Sequence, residues 1–312
     1  MLQVRTTELG RDRSLHSVTA GEGPDILLLH GALATHQDWL VGPFEALARF
    51  GRVTAIDRPG HGKSRRPRFE GDPRAQARQI AEGLDAIGIG RSLVVAHSMG
   101  GLVALALAEL FPERVSELLL FAPLAFPELR PIEQTVLAPR SAPVLGPLLS
   151  IAGERTFDAA FLRMVQVLMF SPDPVPTHWR DSFPYAEVLD AGAMVAEGED
   201  TAAILPGSPL GTLDVAAIRT PAHIIVGTSD KIVERERQAK RLARLMPNAR
   251  LTELEGVSHM AHHARPDVVV AAVREGLVDC PSPARERERP ALRSNVGGEG
   301  TAAERATLTN FG

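Results

Sequence analysis

Short apolar runs alternate with longer amphipathic segments along most of the chain. The runs are almost continuously apolar, as in strands buried on both faces of a parallel sheet; they span 25–29, 52–56, 92–96, 117–121 and 222–226. Between them, apolar positions recur every three to four residues, which predicts helices over 37–50, 73–87, 99–110, 234–246 and 266–278. The alternation predicts an α/β fold with a mostly parallel sheet flanked by helices.

Two other segments depart from this alternation. The first twenty residues predict an antiparallel hairpin at one edge of the sheet. Residues 123–220 contain no convincing strand, are rich in Pro, Met and Phe, and include the helical run FDAAFLRMVQVLMF. A segment this long and hydrophobic is not a loop. We interpret it as a helical cap inserted between two strands, with an extra set of core helices as the alternative.

These boundaries divide the chain into four parts. Residues 1–122 and 221–279 form the two halves of the core, and 123–220 form the cap. Residues 280–312 are rich in charge, Gly and Pro and have few core-forming positions, so we predict a disordered tail there.

The composition excludes several classes of protein. A net charge of −4 in 312 residues gives no electrostatic attraction to nucleic acid or to anionic membranes. The single cysteine, Cys280, excludes an intramolecular disulfide framework. No apolar run reaches the ~18 residues that span a bilayer. We therefore expect a cytoplasmic protein without a membrane span, and the oligomeric state stays open.

The stretch VVAHSMGG ends a buried strand with a serine between small residues, and an apolar helix follows directly. The pattern small-x-Ser-x-Gly between strand and helix is typical of a nucleophile elbow, with Ala96 in the place of the usual first Gly. The sharp turn requires small neighbours and exposes the hydroxyl of Ser98 at the N-terminus of the helix. The alternative is a glycine-rich turn with an incidental serine.

Five separated motifs resemble the α/β-hydrolase superfamily, specifically its capped serine hydrolases, and the resemblance covers about residues 15–278. The motifs are LLLHGAL (27–33), AIDRPGHGKS (55–64), AHSMGG (96–101), VGTSDKIV (226–233) and GVSHMAHHARP (256–266). The resemblance implies a catalytic triad of Ser98, Asp230 and His259, which occur in the chain order expected for this fold. Asp230 also follows a strand at the sheet edge where such sites lie. The alternatives are that Asp230 is a turn residue and His259 a surface histidine.

An acyl-transfer site also needs donors for a developing oxyanion. We expect the backbone N–H of Met99 to be one, because it follows the nucleophile. The resemblance implies that the second is the backbone N–H of Ala32, and Leu33 is the less favoured choice. Other polar residues are interpreted as structural: Asp57 and His61 in a scaffold turn, His97 pointing away from the site, and His262 and His263 at the start of the last helix. We expect no metal and no cofactor, because zinc-type spacing and a phosphate loop are missing from the sequence.

A serine nucleophile distinguishes this chain from the haloalkane dehalogenases and epoxide hydrolases that the superfamily also contains, which use aspartate. The resemblance implies a carboxylesterase acting on small or medium apolar esters, with a C–C bond or lactone hydrolase as the alternative. A small-molecule receptor with slow turnover and an accessory protein with a vestigial site are the other hypotheses. Aromatic and Met residues of the cap are candidates for an acyl pocket: Phe157, Phe161, Met164, Met169, Phe170, Trp179, Phe183 and Tyr185.

Overall fold

The computed structural model describes residues 2–153 and 157–279. Eight strands form one sheet in the order β1-β2-β4-β3-β5-β6-β7-β8. The strands are β1 Gln3–Gly10, β2 Arg13–Ala20, β3 Asp25–Leu29, β4 Arg52–Ile56, β5 Ser92–His97, β6 Val115–Phe121, β7 Ala222–Gly227 and β8 Ala249–Leu254. The predicted tail, 280–312, lies outside the described residues.

The sheet is parallel except at one edge. β1 pairs antiparallel with β2, and β2 pairs antiparallel with β4, whereas the pairs from β4 through β8 are parallel. The predicted edge hairpin and the five predicted strands are therefore confirmed. Every residue of β5, β6 and β7 is buried, as their continuous apolar runs require.

Thirteen α-helices lie in the described residues. They are α1 Gln37–Val41, α2 Phe44–Leu47, α3 Pro73–Ala86, α4 Met99–Leu110, α5 Pro131–Leu137, α6 Leu145–Gly153, α7 Phe157–Phe170, α8 Thr177–Ser182, α9 Tyr185–Val188, α10 Ala191–Ala203, α11 Arg241–Leu245, α12 Ala261–Ala264 and α13 Pro266–Asp279. Two 3₁₀ turns, Pro112–Arg114 and Ala138–Ser141, and a π-helical turn, Glu236–Lys240, complete the helical structure of these residues.

Two predicted helices are not continuous. The segment 37–50 divides into α1 and α2 at Gly42 and Pro43, because proline has no N–H to donate to a continuing helix. The segment 234–246 begins with the π-helical turn, in which the Lys240 N–H donates to the Arg235 carbonyl, and only then becomes α11.

The apolar core has two layers against the sheet and a third cluster apart from them. One layer includes residues of α3, α4 and α11, and the other includes residues of α1, α2 and α13. Six helices, α5–α10, lie between β6 and β7, where the inserted cap was predicted. Most of the third cluster comes from these helices, including Phe161, Trp179 and Met194. The segment from α5 to α10 is called the cap below.

Candidate active site

Ser98 occupies a sharp turn between β5 and α4. Its backbone has φ 50° and ψ −119°, in the left-handed region that few residues other than glycine adopt. A Cβ at Gly100 would lie 2.5 Å from the His30 carbonyl oxygen, so only glycine fits there without moving the backbone. The Ser98 N–H donates to the Phe121 carbonyl at 3.0 Å, which anchors the turn to β6. The strand, the turn and the helix thus have the arrangement that the motif predicts.

His259 and Asp230 meet at the carboxyl ends of the strands. The Nδ1 of His259 lies 2.8 Å from Oδ2 of Asp230, and both side chains are 1% exposed. The other oxygen of Asp230 accepts hydrogen bonds from the N–H groups of Ile232 and Val233 at 2.8 and 3.0 Å. Burial acts to raise the pKa of Asp230, but His259 and these N–H groups outweigh it and lower that pKa. The carboxylate is therefore ionised and fixes the orientation of the imidazole.

Most of the predicted site residues line one narrow cavity. Ser98, Met99, Ala32 and His259 all line it, and Asp230 lies behind His259. The cavity volume of about 40 Å³ has room for roughly three water molecules. Larger open depressions of about 700 and 520 Å³ exist elsewhere, but neither is lined by Ser98 or His259. The smaller cavity is therefore the candidate active site, because it contains Ser98 and His259.

The cap covers this cavity with mostly apolar side chains. They are Leu137, Val165, Met169, Thr201 and Ile204, and two charged side chains, Arg130 and Glu133, line the cavity as well. Of the eight cap residues predicted as candidates for an acyl pocket, Met169 alone lines the cavity. Phe157 and Met164 are exposed, and Phe161, Phe170, Trp179 and Phe183 are buried in the cap cluster. The other candidates therefore do not line the cavity as the cap sits in this structure.

Leu33 has a partner that leaves its amide unavailable to a substrate. Its N–H donates to Oε1 of Glu197, on α10 of the cap, at 2.6 Å. Ala32 therefore stays the predicted second oxyanion donor. Glu197 belongs to none of the five sequence motifs. The acidic group Glu197, Glu199 and Asp200 in an otherwise apolar segment was the one signal that could have indicated it.

The same part of α10 attaches the cap to the loop that contains the DRPGHGKS motif. Asp200 lies 2.7 Å from Nη1 of Arg58 and 2.9 Å from Nη1 of Arg66, and all three side chains are buried. Burial acts to raise the pKa of Asp200, but Arg66 and Arg58 outweigh it and lower that pKa to about 2. His61 lies 3.1 Å from Glu197, in agreement with its predicted structural role.

A second buried polar cluster connects the cap to α12, which follows His259. Asp38 accepts hydrogen bonds from His262 at 2.9 Å, from His263 at 2.8 Å and from Nε1 of Trp179 at 3.0 Å. Burial acts to raise the pKa of Asp38, but His263 and His262 lower it well below its usual range. His262 and His263 therefore hold α12 to Asp38, away from the proposed base position, and Trp179 holds the cap to the same carboxylate.

The prediction that His97 points away from the site was wrong. Its Nε2–H donates to the main-chain carbonyl of His259 at 3.2 Å, and its ring centre lies 4.7 Å from that of His259. The reason is that α12 follows His259 closely and brings the ring centre of His262 to 4.3 Å from that of His97. Burial lowers the pKa of His97 well below its usual value, so His97 is neutral beside the site.

Three groups of His and carboxylate side chains in the described residues lie close enough to share an ion: His16, His36 and Asp57; Asp38, His97 and His262; and His61, Glu197 and Asp200. Asp200 already pairs with two guanidinium groups, and both oxygens of Asp38 accept hydrogen bonds. Those of Asp57 accept from the N–H groups of His36 and Lys63. Because these carboxylates are already paired, we assign no metal site to them.

The fold and the match to a family model identify the class of protein. Residues 26–272 match the model of the alpha/beta hydrolase family, and the chain belongs to that family. It is 30% identical over 304 residues to an uncharacterized protein of Mycobacterium tuberculosis, an alignment that covers 90% of this chain and 84% of the relative.

Solved structures show the same fold. A thermophilic esterase from Thermogutta terrifontis superposes with a TM-score of 0.71 at 22% identity, covering 89% of this chain and 98% of that one. The 2-hydroxy-6-oxo-6-phenylhexa-2,4-dienoate hydrolase from Rhodococcus superposes with a TM-score of 0.70 at 22% identity, covering 89% and 99%. No helix among the described residues is long and apolar enough to cross a membrane.

Proposed function

We propose that the protein is a serine hydrolase that cleaves carboxylic esters of small or medium apolar substrates through an acyl-enzyme intermediate. One observation carries the proposal. Ser98 occupies a strained elbow and lines the same cavity as His259, and Nδ1 of His259 contacts the ionised Asp230. This is the arrangement that nucleophilic acyl transfer requires. The predicted cytoplasmic location stays part of the proposal.

The reaction proceeds in two halves. His259 takes the proton of the Ser98 hydroxyl as the oxygen attacks the ester carbonyl carbon, and Asp230 stabilises the imidazolium that forms. The carbonyl oxygen becomes an oxyanion that accepts hydrogen bonds from the N–H groups of Met99 and Ala32. The C–O bond to the alcohol then breaks, and His259 gives the alcohol its proton. Water, deprotonated by His259, then attacks the acyl carbon, the bond from that carbon to the Ser98 oxygen breaks, and His259 returns the proton to Ser98 as the carboxylic acid leaves.

The walls of the cavity support an apolar acyl group. Beside Arg130, Glu133 and Thr201, the cavity is lined by the apolar side chains of Leu137, Val165, Met169 and Ile204, and an acyl chain replaces water against these four. At about 40 Å³ the cavity is far smaller than the roughly 300–1,000 Å³ of sites that enclose drug-sized ligands. A short ester therefore fits with the least displacement of the cap.

A C–C bond hydrolase is the second candidate. The Rhodococcus structure, a hydrolase of a dienoate, has the same fold, and a serine triad can serve that reaction as well. The two candidates differ in the bond cleaved and not in the nucleophile.

Hydrolysis of p-nitrophenyl esters of increasing chain length, with lactones and a vinylogous diketone alongside, tests the proposal. We expect the highest kcat/KM for short to medium esters, and a loss on the order of 10³-fold or more in Ser98→Ala. Cleavage of the diketone alone would favour the second candidate. A single burst equal to the enzyme concentration would favour a slow receptor. Full ester turnover by Ser98→Ala would refute the proposed function.

A further inference from the structure

Glu197 makes a contact that joins the cap to the proposed oxyanion loop, residues 31–33. The residue lies in the middle of α10 and is 1% exposed. Its Oε1 accepts from the Leu33 N–H at 2.6 Å, across 164 positions of sequence. The contact therefore exists only when α10 is seated against the core.

The environment of Glu197 is costly for a carboxylate. Its Oε2 is buried and has no hydrogen-bond partner in the described part of the chain. Its Oε1 lies 3.1 Å from Nε2 of His61 and 4.0 Å from Nη2 of the Arg58 guanidinium. An incompletely paired buried carboxylate costs folding free energy. Its placement is therefore poorly explained by stability alone.

The loop that Glu197 holds is tight against the nucleophile. A Cβ at Gly31 would approach Cβ of Ser98 to 3.2 Å and Nδ1 of His97 to 3.0 Å. Leu33 has φ 52°, a strained backbone conformation for a residue other than glycine. Ala32 lies between these two fixed points, so its N–H direction depends on the Leu33 amide that Glu197 holds.

We propose that Glu197 is a positioning residue that aims the Ala32 N–H at the oxyanion when the cap is seated. Oxyanion donors act only within about 2.7–3.1 Å of the developing charge. The small cavity means that a larger ester displaces the cap, and α10 moves with it. Stabilisation of the oxyanion is thereby coupled to closure of the cap over the substrate. This inference rests on the proposed esterase function.

Three variants test the coupling. Glu197→Met keeps the bulk of the side chain but has no oxygen to accept the Leu33 N–H, and Glu197→Ala is a second loss variant should methionine pack poorly. Glu197→Gln restores an acceptor oxygen. The matched control is Glu199→Gln, which weakens a cap-to-core link with Arg66 and Arg68 but has no contact with the loop.

Kinetic and inhibition measurements distinguish a positioning role of Glu197 from a role in folding. With a short p-nitrophenyl ester we expect Glu197→Met to lower kcat about 10- to 100-fold with KM within about threefold, a smaller loss than removal of a whole donor. Inhibition by a trifluoromethyl ketone, which forms an oxyanion on Ser98, should weaken by a similar factor. Inhibition by an apolar carboxamide that stays neutral should be unchanged. Glu197→Gln should recover most of kcat, and Glu199→Gln should change kcat less than threefold.

Equal weakening of both inhibitors, or a kcat unchanged in both loss variants, would overturn the inference. Such a result leaves the proposed function standing as long as Ser98→Ala is inactive. An active Ser98→Ala would instead refute the proposed function itself.

Discussion

Single residues determine the geometry of the elbow. Ser98 takes a positive φ because β5 must turn into α4 within one residue. The sequence predicts this turn through the small residues Ala96 and Gly100, since a larger side chain at Gly100 would meet the backbone of His30 and Leu29. The motif can be recognised in the sequence because the small residues that allow the turn lie two positions from Ser98.

Gly100→Ala tests this explanation. The added Cβ would lie 2.5 Å from the His30 carbonyl oxygen and 2.7 Å from that of Leu29, so β3, the loop after it or α4 must shift. We expect a loss of about 1–3 kcal/mol in the free energy of unfolding and at least a tenfold fall in kcat with a short ester. Denaturant titration and steady-state kinetics measure both quantities.

The control for that variant is Gly90→Ala, where no heavy atom lies within 4 Å of the added carbon. It should change stability and kcat little. A Gly100→Ala protein as stable and as active as Gly90→Ala would show that the elbow tolerates a larger neighbour, contrary to this account.

Other site residues owe their role to contacts between segments that are far apart in the sequence. Glu197 meets Leu33 across 164 positions, and Asp38 meets His262 across 224. No motif marks either carboxylate, because each is defined by the element that packs against it. His97 was mispredicted for the same reason: its surroundings depend on where α12 packs.

At the scale of elements, the strands were the most predictable part. The strands β3–β7 are buried on both faces, and a continuous apolar run marks such strands strongly. Helices α3, α4 and α13 follow their periodicity within one residue. The break between α1 and α2 was missed although Gly42 and Pro43 are visible in the sequence.

The cap could be predicted as helical but not resolved into its helices. Its apolar residues pack mainly against one another, in the cluster around Phe161 and Trp179, so no sheet fixes their periodicity. Two polar clusters hold it to the core: Asp200 with Arg58 and Arg66 on one side, and Trp179 with Asp38 on the other. Buried charges of this kind are set by tertiary packing and leave little trace in composition.

Several histidines among the described residues are buried in the folded protein. Burial lowers the pKa of five of the ten histidines: His16, His30, His97, His223 and His262. Unfolding returns each to its ordinary pKa near 6.5. Between about pH 6.5 and 4 the unfolded chain therefore binds more protons than the folded chain, so stability falls as the pH falls. The paired aspartates, such as Asp200 with a pKa of about 2, contribute acid sensitivity only below about pH 4.

We therefore expect the free energy of unfolding, from denaturant titration, to drop by a few kcal/mol between pH 7 and pH 5. The pKa of His262, lowered by burial to about 4, makes it a main contributor. His262→Gln should reduce the drop by about 1–3 kcal/mol. The exposed His178 is the control, and His178→Gln should leave the drop unchanged. Equal stability at pH 7 and pH 5 would contradict this explanation.

The central claim is that Ser98 is a nucleophile activated by His259. The most direct test is intact-mass analysis after treatment with a fluorophosphonate, which bonds covalently to an activated serine. We expect a single adduct located on Ser98, no adduct in Ser98→Ala, and labelling slowed on the order of 10³-fold or more in a folded His259→Ala. Persistent labelling of Ser98→Ala, or undiminished labelling of His259→Ala, would contradict this claim.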